Sequence, residues 1–315
     1  MLSEIVLTPD VFDGACYSSP DACDIHLTYL KEPLLIQKEV LVRDLRDGEW
    51  VAHLKNQLGR WHPRGKELFK KLITQNRLRP FRAVVPATPT DDDGWCVEAV
   101  AAHGVEAVEA IVASKDMAIR HAGCPVVCSV ERVTSSAWWR ARSPSVRPER
   151  TVASYLQHLR LVLHSANSFM FIDPHLDPSR ARYADFIQIL LALQRPRINP
   201  YIEIHRVCYE WSGRERVIFT GTERARLEQR FRKAWRAVLL AAGLTVTVYV
   251  WSDFHDRYLI TDLVGINLNN GFDQGRRTGE KTMWTRLGRS EADDVQREFH
   301  PAAATVKPYY SFVVP

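Results

Sequence analysis

The stretch from residue 244 to residue 273, LTVTVYVWSDFHDRYLITDLVGINLNNGFD, constrains the fold of this chain more than any other. Its first seven residues place an apolar side chain at every second position, as a half-buried β-strand does. Two further apolar runs, 257–261 and 264–268, follow with too few residues between them for a helix. The segment therefore predicts three strands, of which the last two form an antiparallel hairpin.

Strands and helices alternate through the rest of the second half of the chain. Apolar runs predict strands at 168–173, 201–207 and 309–314, and helical periodicity predicts helices at 151–165, 180–193 and 222–242. Gly243 is placed where it would end the longest helix. Because strands separated by helices usually run parallel, with right-handed crossovers, we expect a mixed sheet flanked by helices.

The first half shows the same alternation, with strands predicted at 4–8, 81–85 and 125–130 and helices at 48–60, 63–75 and 95–103. Between the halves, the segment WWRARSPSVRP (residues 138–148) is rich in proline, serine and arginine and has no apolar periodicity. We therefore predict an α/β protein with two domains, 1–147 and 148–315. The paired tryptophans of this segment either are buried at the junction or form a stacking platform for nucleic-acid bases.

The composition is that of a soluble globular protein, with 46% hydrophobic and 25% charged residues among 315. The first residues lack the features of a signal peptide and no run is long enough to span a membrane, so we expect a cytoplasmic protein. The six cysteines have no paired ligand spacing, which favours reduced thiols over a zinc site. The net charge of +5 arises entirely after residue 150, where 22 Lys and Arg accompany 17 Asp and Glu. This surplus is compatible with a nucleic-acid or anionic-lipid partner.

Three ionisable residues within the constraining stretch occur at the spacing His255-x-Arg257-x-x-x-x-Asp262. An imidazole titrates near neutral pH, with a pKa of about 6.5 in peptides, so it can serve as a nucleophile or a base. A guanidinium offers a fork of donors that matches a phosphate group. Residues two apart in a strand share a face, which would place His255 and Arg257 on one side. The pattern therefore indicates a site for phosphodiesters. Asp262, five residues beyond Arg257, is expected at the other end of the strand, where it orients a neighbour or caps a turn.

With this motif, the second half resembles the phospholipase D superfamily, whose signature is His-x-Lys-x-x-x-x-Asp followed by a stretch of Gly, Ser and Asn. The resemblance implies that His255 attacks phosphorus, that Arg257 binds the phosphate and that Asp262 supports the site. Asn269 and Asn270 would be further polar contacts. The resemblance also implies a nuclease that acts on nucleic acid without a metal or other cofactor, and a role in bacterial defence.

Two departures from the signature bear on activity. Arg257 replaces the lysine, and the downstream segment is Asn269-Asn-Gly-Phe-Asp where the signature has Gly-Ser-x-Asn. The motif also occurs only once, which leaves the second histidine of the superfamily, the proton donor to the leaving group, unassigned. Either two chains pair their histidines in a homodimer, or the domain only binds phosphate groups or a protein partner, as non-catalytic relatives of the superfamily do.

Other polar residues are candidates for the same site. Asp173 and His175 follow a predicted strand, and open α/β sheets bind ligands at the carboxyl ends of their strands. His175 is thus either the missing acid or a loop histidine without a catalytic role. Lys281 and Arg286 lie in a segment that either contacts a nucleic-acid backbone or forms ordinary surface. His205 is expected at the edge of the core.

The first half has a looser similarity to PIN-like nuclease domains, in which carboxylates at strand ends bind divalent cations. The residues that would take these places are Asp10 or Asp13 after the first strand, Asp116 after AIVASK, and Asp44 or Asp47. The acidic triplet at 91–93 is expected in a solvated loop. Three hypotheses follow: a phospholipase D-like nuclease, a non-catalytic module that binds phosphate or a partner, and a metal-dependent nuclease in the first half.

Overall fold

The computed structural model describes residues 1–196, 198–212 and 215–315. The chain divides into two compact units, one comprising Leu2–Ser143 and the other Pro144–Pro315 together with Met1. The domain boundary predicted at residue 147 lies a few residues beyond this division. Both units are α/β, as the alternation of apolar runs predicts.

The N-terminal unit is built on a five-stranded sheet in which all strands run parallel, in the order β3-β2-β1-β4-β5. The strands are β1 (Ser3–Leu7), β2 (Val40–Leu45), β3 (Leu78–Phe81), β4 (Ala110–Ala113) and β5 (Val127–Ser129). All residues of β2 and β4 are buried. Burial on both faces explains why β4, AIVA, is a continuous apolar run without alternation, whereas β2 also buries the charged Arg43 and Asp44.

Helices connect these strands: α1 (Pro20–Lys31), α2 (Glu49–Asn56), α3 (Pro63–Thr74), α4 (Asp92–Val105), α5 (Lys115–Arg120) and α6 (Ala137–Ala141). The aspartate at position 91 caps α4, because its side chain accepts a hydrogen bond from the backbone N–H of Gly94. The acidic triplet therefore begins a helix, where the sequence predicted a solvated loop. Trp138, in α6, is buried in the core of the N-terminal unit, so burial is the correct interpretation for this tryptophan.

The C-terminal unit contains an eight-stranded mixed sheet in the order β15-β11-β8-β7-β12-β13-β14-β6. Its strands are β6 (Ser145–Val146), β7 (Ser168–Ile172), β8 (Tyr201–Val207), β11 (Val246–Trp251), β12 (Tyr258–Thr261), β13 (Gly265–Leu268), β14 (Trp284–Arg286) and β15 (Tyr310–Val314). Strands β7, β8 and β11 are parallel, and β12 and β13 form the predicted antiparallel hairpin. A separate two-stranded ribbon is formed by β9 (Tyr209–Ser212) and β10 (Glu215–Ile218).

The helices of this unit are α7 (Val152–Ser165), α8 (Phe186–Leu191), α9 (Thr222–Ala242) and α10 (Arg289–Phe299). Helix α9 has the predicted bounds, and Gly243 ends it with a φ of 65°, a conformation that favours glycine. Helix α8 is shorter than predicted. Within the described residues, no helix has the length and apolar character needed to cross a membrane.

Helices pack on both faces of the sheet, and the side chains of β7 contact them alternately, because successive residues of a strand point to opposite faces. Phe171 packs edge-on against Phe186 of α8, with ring centroids 5.2 Å apart. Met170 and Ile172 point to the opposite face and pack in a cluster with Phe299 of α10. Fully burying one such side chain contributes roughly 1.5–3 kcal/mol. Because β7, β8 and β11 are parallel, their carboxyl ends lie together at one end of the sheet, which we call the strand-end edge.

Candidate functional site

Two of the predicted catalytic residues lie at the strand-end edge. Because β12 runs antiparallel to β7, with Tyr258 opposite Ile172, it begins where β7 ends. His255 and Arg257 occupy the loop between β11 and β12 and precede the strand. The alternation expected of a strand therefore does not apply to them, and the loop determines where their side chains point. His255 is exposed, and Arg257 is partly buried.

Asp173 is a fully buried carboxylate beneath this edge. It accepts hydrogen bonds from the backbone N–H groups of His175 (3.0 Å) and Phe272 (3.2 Å), and the Tyr183 hydroxyl donates to both of its oxygens at 3.1 Å. Burial raises the pKa of Asp173, whereas these hydrogen bonds and the charge of Arg257 oppose the increase. Arg257 Nε lies 4.0 Å from Asp173 Oδ1. The carboxylate thus joins three segments of the chain and positions the Arg257 side chain.

Gly271 allows the turn after β13 to close over Asp173. Its φ of +64° lies in the left-handed region, and a Cβ atom at this position would be 2.1 Å from Asp173 Oδ2 and 3.0 Å from Arg257 Cδ. Asn269 and Asn270 immediately precede this glycine and are exposed. The Asn-Asn-Gly segment therefore lies at the strand-end edge, and its glycine is the residue that packs against the site.

His175 lines a cleft of about 260 Å³, which we call the histidine cleft; its other lining residues are Asp177, Arg180, Arg182, Arg206, Tyr209 and Glu210. Burial lowers the pKa of His175 to about 4, and the positive charges of Arg257, Arg182, Arg206 and His255 add to this effect. The imidazole of His175 is therefore neutral at pH 7. The influence of His255 and Arg257 on this pKa places both side chains in the electrostatic environment of the cleft.

Part of the positive charge of the cleft is balanced by a buried carboxylate, Asp177. It accepts hydrogen bonds from the backbone and hydroxyl of Ser179 and from Arg230 at 3.0 Å, and Arg206 lies 3.6 Å away. Burial alone would raise the pKa of Asp177, yet Arg206 and the hydrogen bonds hold it below its usual range. Asp177 is consequently ionised, and Arg206 and Arg230 pair with its carboxylate.

Arg182 and Arg257 lie further from their nearest carboxylates than Arg206 and Arg230 lie from Asp177. The side chain of Arg182 is 45% exposed and lies 3.9 Å from an oxygen of Asp273. Arg257 donates to the backbone carbonyl of His255 at 3.2 Å and is 4.0 Å from Asp173. Both contacts leave N–H donors of each guanidinium for an incoming anion, because a guanidinium has five. The strand-end edge therefore combines two histidines with two arginines suited to phosphate.

Asp262, the third residue of the motif, lies at the other end of β12. It accepts hydrogen bonds from the backbone N–H of Asn167 at 2.8 Å and of Ser168 at 3.4 Å, where β7 begins. A four-residue strand rises about 13 Å, so Asp262 is far from Arg257. The expected catalytic grouping of Asp262 with His255 is therefore not formed, and Asp262 instead joins two strand ends.

Lys281 and Arg286, predicted as substrate contacts, are part of the sheet margin. Lys281 is exposed and forms an isolated backbone bridge with Glu149. Arg286 pairs with Ile266 in β14, further from the strand-end edge than Trp284. The residues that line the histidine cleft include neither Lys281 nor Arg286.

His205, expected at the edge of the core, is fully buried. The Trp251 indole N–H donates to its Nδ1 at 3.1 Å, which leaves the proton on Nε2, 3.4 Å from Glu203 Oε2. Burial lowers the pKa of His205. It is a neutral, hydrogen-bonded core residue and is not available to a substrate.

Of the carboxylates in the N-terminal unit that were predicted to bind a cation, Asp13 is paired with an arginine. Arg60 Nε lies 2.5 Å from Asp13 Oδ2, and the same guanidinium pairs with both oxygens of Asp92. Asp10 is buried, which raises its pKa, and accepts a hydrogen bond from the backbone N–H of Ser114 at 2.9 Å. Over the described ranges, no group of three or more His, Cys, Asp or Glu is arranged to hold a metal ion. These residues do not fit the divalent-cation site that the PIN-like resemblance implies.

The other carboxylates of that prediction are dispersed. Asp116 is exposed in the first turn of α5. Asp44 accepts a hydrogen bond from the backbone of Val51 at 3.3 Å, and its burial raises its pKa to about 6. Asp47 is exposed in the turn before α2.

Three residues of the site were not anticipated from the sequence: Arg182, Tyr183 and Gly271. The segment that carries Arg182 and Tyr183 was predicted to be helical, whereas α8 begins only at Phe186. Two arginines and a tyrosine directly after a strand-end loop were the available signal, by the rule that places ligands at strand ends. For Gly271, the signal was the Asn-Gly pair after a hairpin strand, which favours a left-handed residue.

Comparison with known proteins adds little to this description. No family model matches the chain, and no curated protein matches it. A solved structure of TrmBL2, described as an archaeal chromatin protein with a novel mode of DNA binding, aligns over 53% of this chain and 55% of TrmBL2, with 10% sequence identity and a TM-score of 0.29. A similarity of this size supports no argument about fold or function.

Proposed function

We propose that the C-terminal unit is a phospholipase D-like phosphodiesterase that cleaves nucleic acid by histidine catalysis. One observation supports this above the others: a single chain brings His175, Arg182, Arg257 and the His255 loop to the same strand-end edge. A phosphodiester bound there would meet two imidazoles and two guanidinium groups. His175 supplies the second histidine that the single motif lacks, so this arrangement does not require a homodimer.

The reaction has two steps. His255 attacks phosphorus, so that an N–P bond forms while the bond to the leaving oxygen breaks, and this oxygen takes a proton from His175. Water then attacks phosphorus, the N–P bond breaks, and His175 accepts the proton of the water. Arg182 and Arg257 stabilise the negative charge on the other phosphate oxygens throughout. Asp173 is a positioning residue because it holds Arg257 and does not contact the substrate.

His175 must be protonated before it can act as the acid, and binding of the substrate favours this protonation. The positive charge around His175 helps to lower its pKa to about 4 in the free protein. A bound phosphodiester carries one negative charge, which offsets the arginines and raises this pKa. Since kcat/KM reports the free protein, we expect kcat/KM to increase as the pH falls from 7 towards 5.

Hydrolysis of bis(p-nitrophenyl) phosphate and of labelled oligonucleotides, with EDTA and separately with Mg²⁺ or Mn²⁺, tests the proposal. Cleavage that persists in EDTA and falls at least a hundredfold in His255→Asn and in His175→Asn supports it. His164→Asn is the matched control, because His164 is exposed near the end of α7 and its Nδ1 is hydrogen-bonded to the Arg160 carbonyl of the same helix. An acid-labile phosphate attached to the wild-type protein, absent from His255→Asn, would identify the nucleophile.

Two results would contradict the proposal. Cleavage that requires Mg²⁺ or Mn²⁺ and is lost in Asp10→Asn would assign the activity to the N-terminal unit. Salt-sensitive binding of oligonucleotides without cleavage between pH 4.5 and 8 would make the C-terminal unit a phosphate-binding module, the second hypothesis drawn from the sequence.

A further inference from the structure

A second cavity adjoins the histidine cleft. It has a volume of about 520 Å³ and is lined by Arg180, Ala181, Arg182, Gln274, Gly275 and Arg276; we call it the arginine cavity. Arg180 and Arg182 line both cavities. Since these two residues are only two apart, at most about 7 Å of chain separates their Cα atoms. The two cavities are therefore neighbouring parts of one recess.

Hydrogen bonds fix the far wall of the arginine cavity. The backbone N–H of Gln274 donates to the Arg182 carbonyl, and that of Gly275 donates to the Arg150 carbonyl, each at 2.8 Å. A Cβ atom on Gly275 would lie 2.8 Å from an oxygen of Glu280, so a larger residue would disturb this wall. The wall is thus held in place before any ligand binds, which reduces the entropy lost on binding.

The lining of the arginine cavity suits a phosphate group. Arg182 is 45% exposed and Arg276 is exposed, so both can turn their guanidinium groups towards an anion. Two other side chains of the lining carry donors: Arg180, whose guanidinium donates to Glu210, and Gln274, whose amide donates to Asp185 at 2.9 Å. Among the residues that the structure describes, no large apolar side chain lines the cavity, whereas the acyl chains beside the phosphodiester of a phospholipid require apolar surface. A polynucleotide, in contrast, presents a second phosphate next to the first.

We propose that the arginine cavity binds the backbone phosphate next to the scissile one, and that the substrate is a single strand. This inference rests on the proposed function and specifies its substrate. Arg182 contacts both phosphates, and Arg276 contacts only the second. The strand must be single because His175 is partly buried in a cleft of about 260 Å³, which a flexible backbone can enter and a rigid duplex cannot.

Binding and cleavage of single-stranded oligonucleotides of two to eight nucleotides, measured on the full chain at several salt concentrations, test this inference. In the wild type, affinity should increase about tenfold when the second phosphate is added. In Arg276→Gln this increase should disappear, and the slope of log K against log salt should fall by about 0.7, the value for one phosphate of a single strand. Turnover of bis(p-nitrophenyl) phosphate, which has a single phosphate, should not change.

Arg277→Gln is the matched control, because Arg277 is also exposed, is the next residue in the chain and lines neither cavity. An equal loss in both variants, or a wild-type affinity that does not depend on length, would overturn the inference. So would tighter binding of a duplex than of its single strands, or Arg276-dependent binding to phosphatidylglycerol vesicles that exceeds binding to a pentanucleotide. Absence of turnover on every substrate would instead contradict the proposed function, while the length series still tests the arginine cavity.

Discussion

Replacing Gly271 with alanine tests the geometry of the strand-end edge directly. The new methyl group would lie 2.1 Å from Asp173 Oδ2, a distance that no real contact permits, so Asp173 must move. Gly279 provides a matched control in the same unit. Its φ is +80°, and a Cβ atom there would have nothing within 4 Å. Both substitutions place alanine in the left-handed region, but only one of them meets a buried carboxylate.

The expected destabilisation follows from these contacts. A left-handed conformation costs an L-residue roughly 1–2 kcal/mol, which is the whole expected effect of Gly279→Ala. In Gly271→Ala, movement of Asp173 also weakens the hydrogen bonds from Phe272 and Tyr183. A buried group deprived of its partners costs about 1–3 kcal/mol more. We therefore expect about 2–5 kcal/mol for Gly271→Ala, together with a large loss of phosphodiester cleavage because Arg257 shifts.

Native-state hydrogen exchange at the amides of β7 and β12 measures this effect locally. Such a measurement is preferable to a melting curve because the chain has two units, and a single transition cannot be assumed. The difference between the opening free energies of the two glycine variants should be about 1–3 kcal/mol. Equal opening free energies would refute the reasoning, since they would show that residue 271 does not pack against Asp173.

Three further predictions concern charged groups. Because the folded-state pKa of His175, about 4, is lower than that of an unfolded histidine, about 6.5, the protein should lose up to about 2 kcal/mol of stability as pH falls from 6.5 to 4. His175→Asn should remove this part of the dependence in urea unfolding, and Arg182→Gln should raise the pKa of His175 in NMR titrations. Asp262→Ala should cost about 1–3 kcal/mol of stability, measured by hydrogen exchange at β7, and leave cleavage per folded molecule unchanged. Arg60→Gln should remove the ion pairs to Asp13 and Asp92 and cost up to about 1 kcal/mol of stability, measured by hydrogen exchange at the amides of α4.

Much of the C-terminal fold could be predicted because periodicity is a local property. Helix α9 has the predicted bounds since its apolar stripe and Gly243 both act within the segment itself. Helix α10 was missed because only Val295 and Phe299 are buried among eleven mostly polar residues. The β9–β10 ribbon was also missed, and its β10 residues are exposed. Short or polar elements such as these are stabilised by contacts with residues distant in the sequence, and local periodicity does not reveal such contacts.

The candidate site could be predicted only in part. The rule that ligands bind at strand ends correctly placed His175 beside the His255 and Arg257 loop. The strand expected after Arg257 correctly placed Asp262 at its other end, where Asp262 accepts backbone hydrogen bonds at the start of β7. The phospholipase D-like resemblance, in contrast, implied that Asp262 supports the catalytic site. A spacing along the chain gives a separation in space only when the conformation between the residues is known.

By itself, the sequence of this protein determined its α/β class, the parallel strands β7, β8 and β11 of the C-terminal unit, and the hairpin that begins within the His255 motif. These features depend on the order of apolar and polar side chains, which each segment carries within itself. The tertiary structure alone decided that Asp173 is buried beneath Arg257, that Gly271 closes over it, and that Arg182 joins the histidines. These contacts unite residues almost a hundred positions apart, and their charges and burial, which set the pKa of His175, exist only after the sheet has formed.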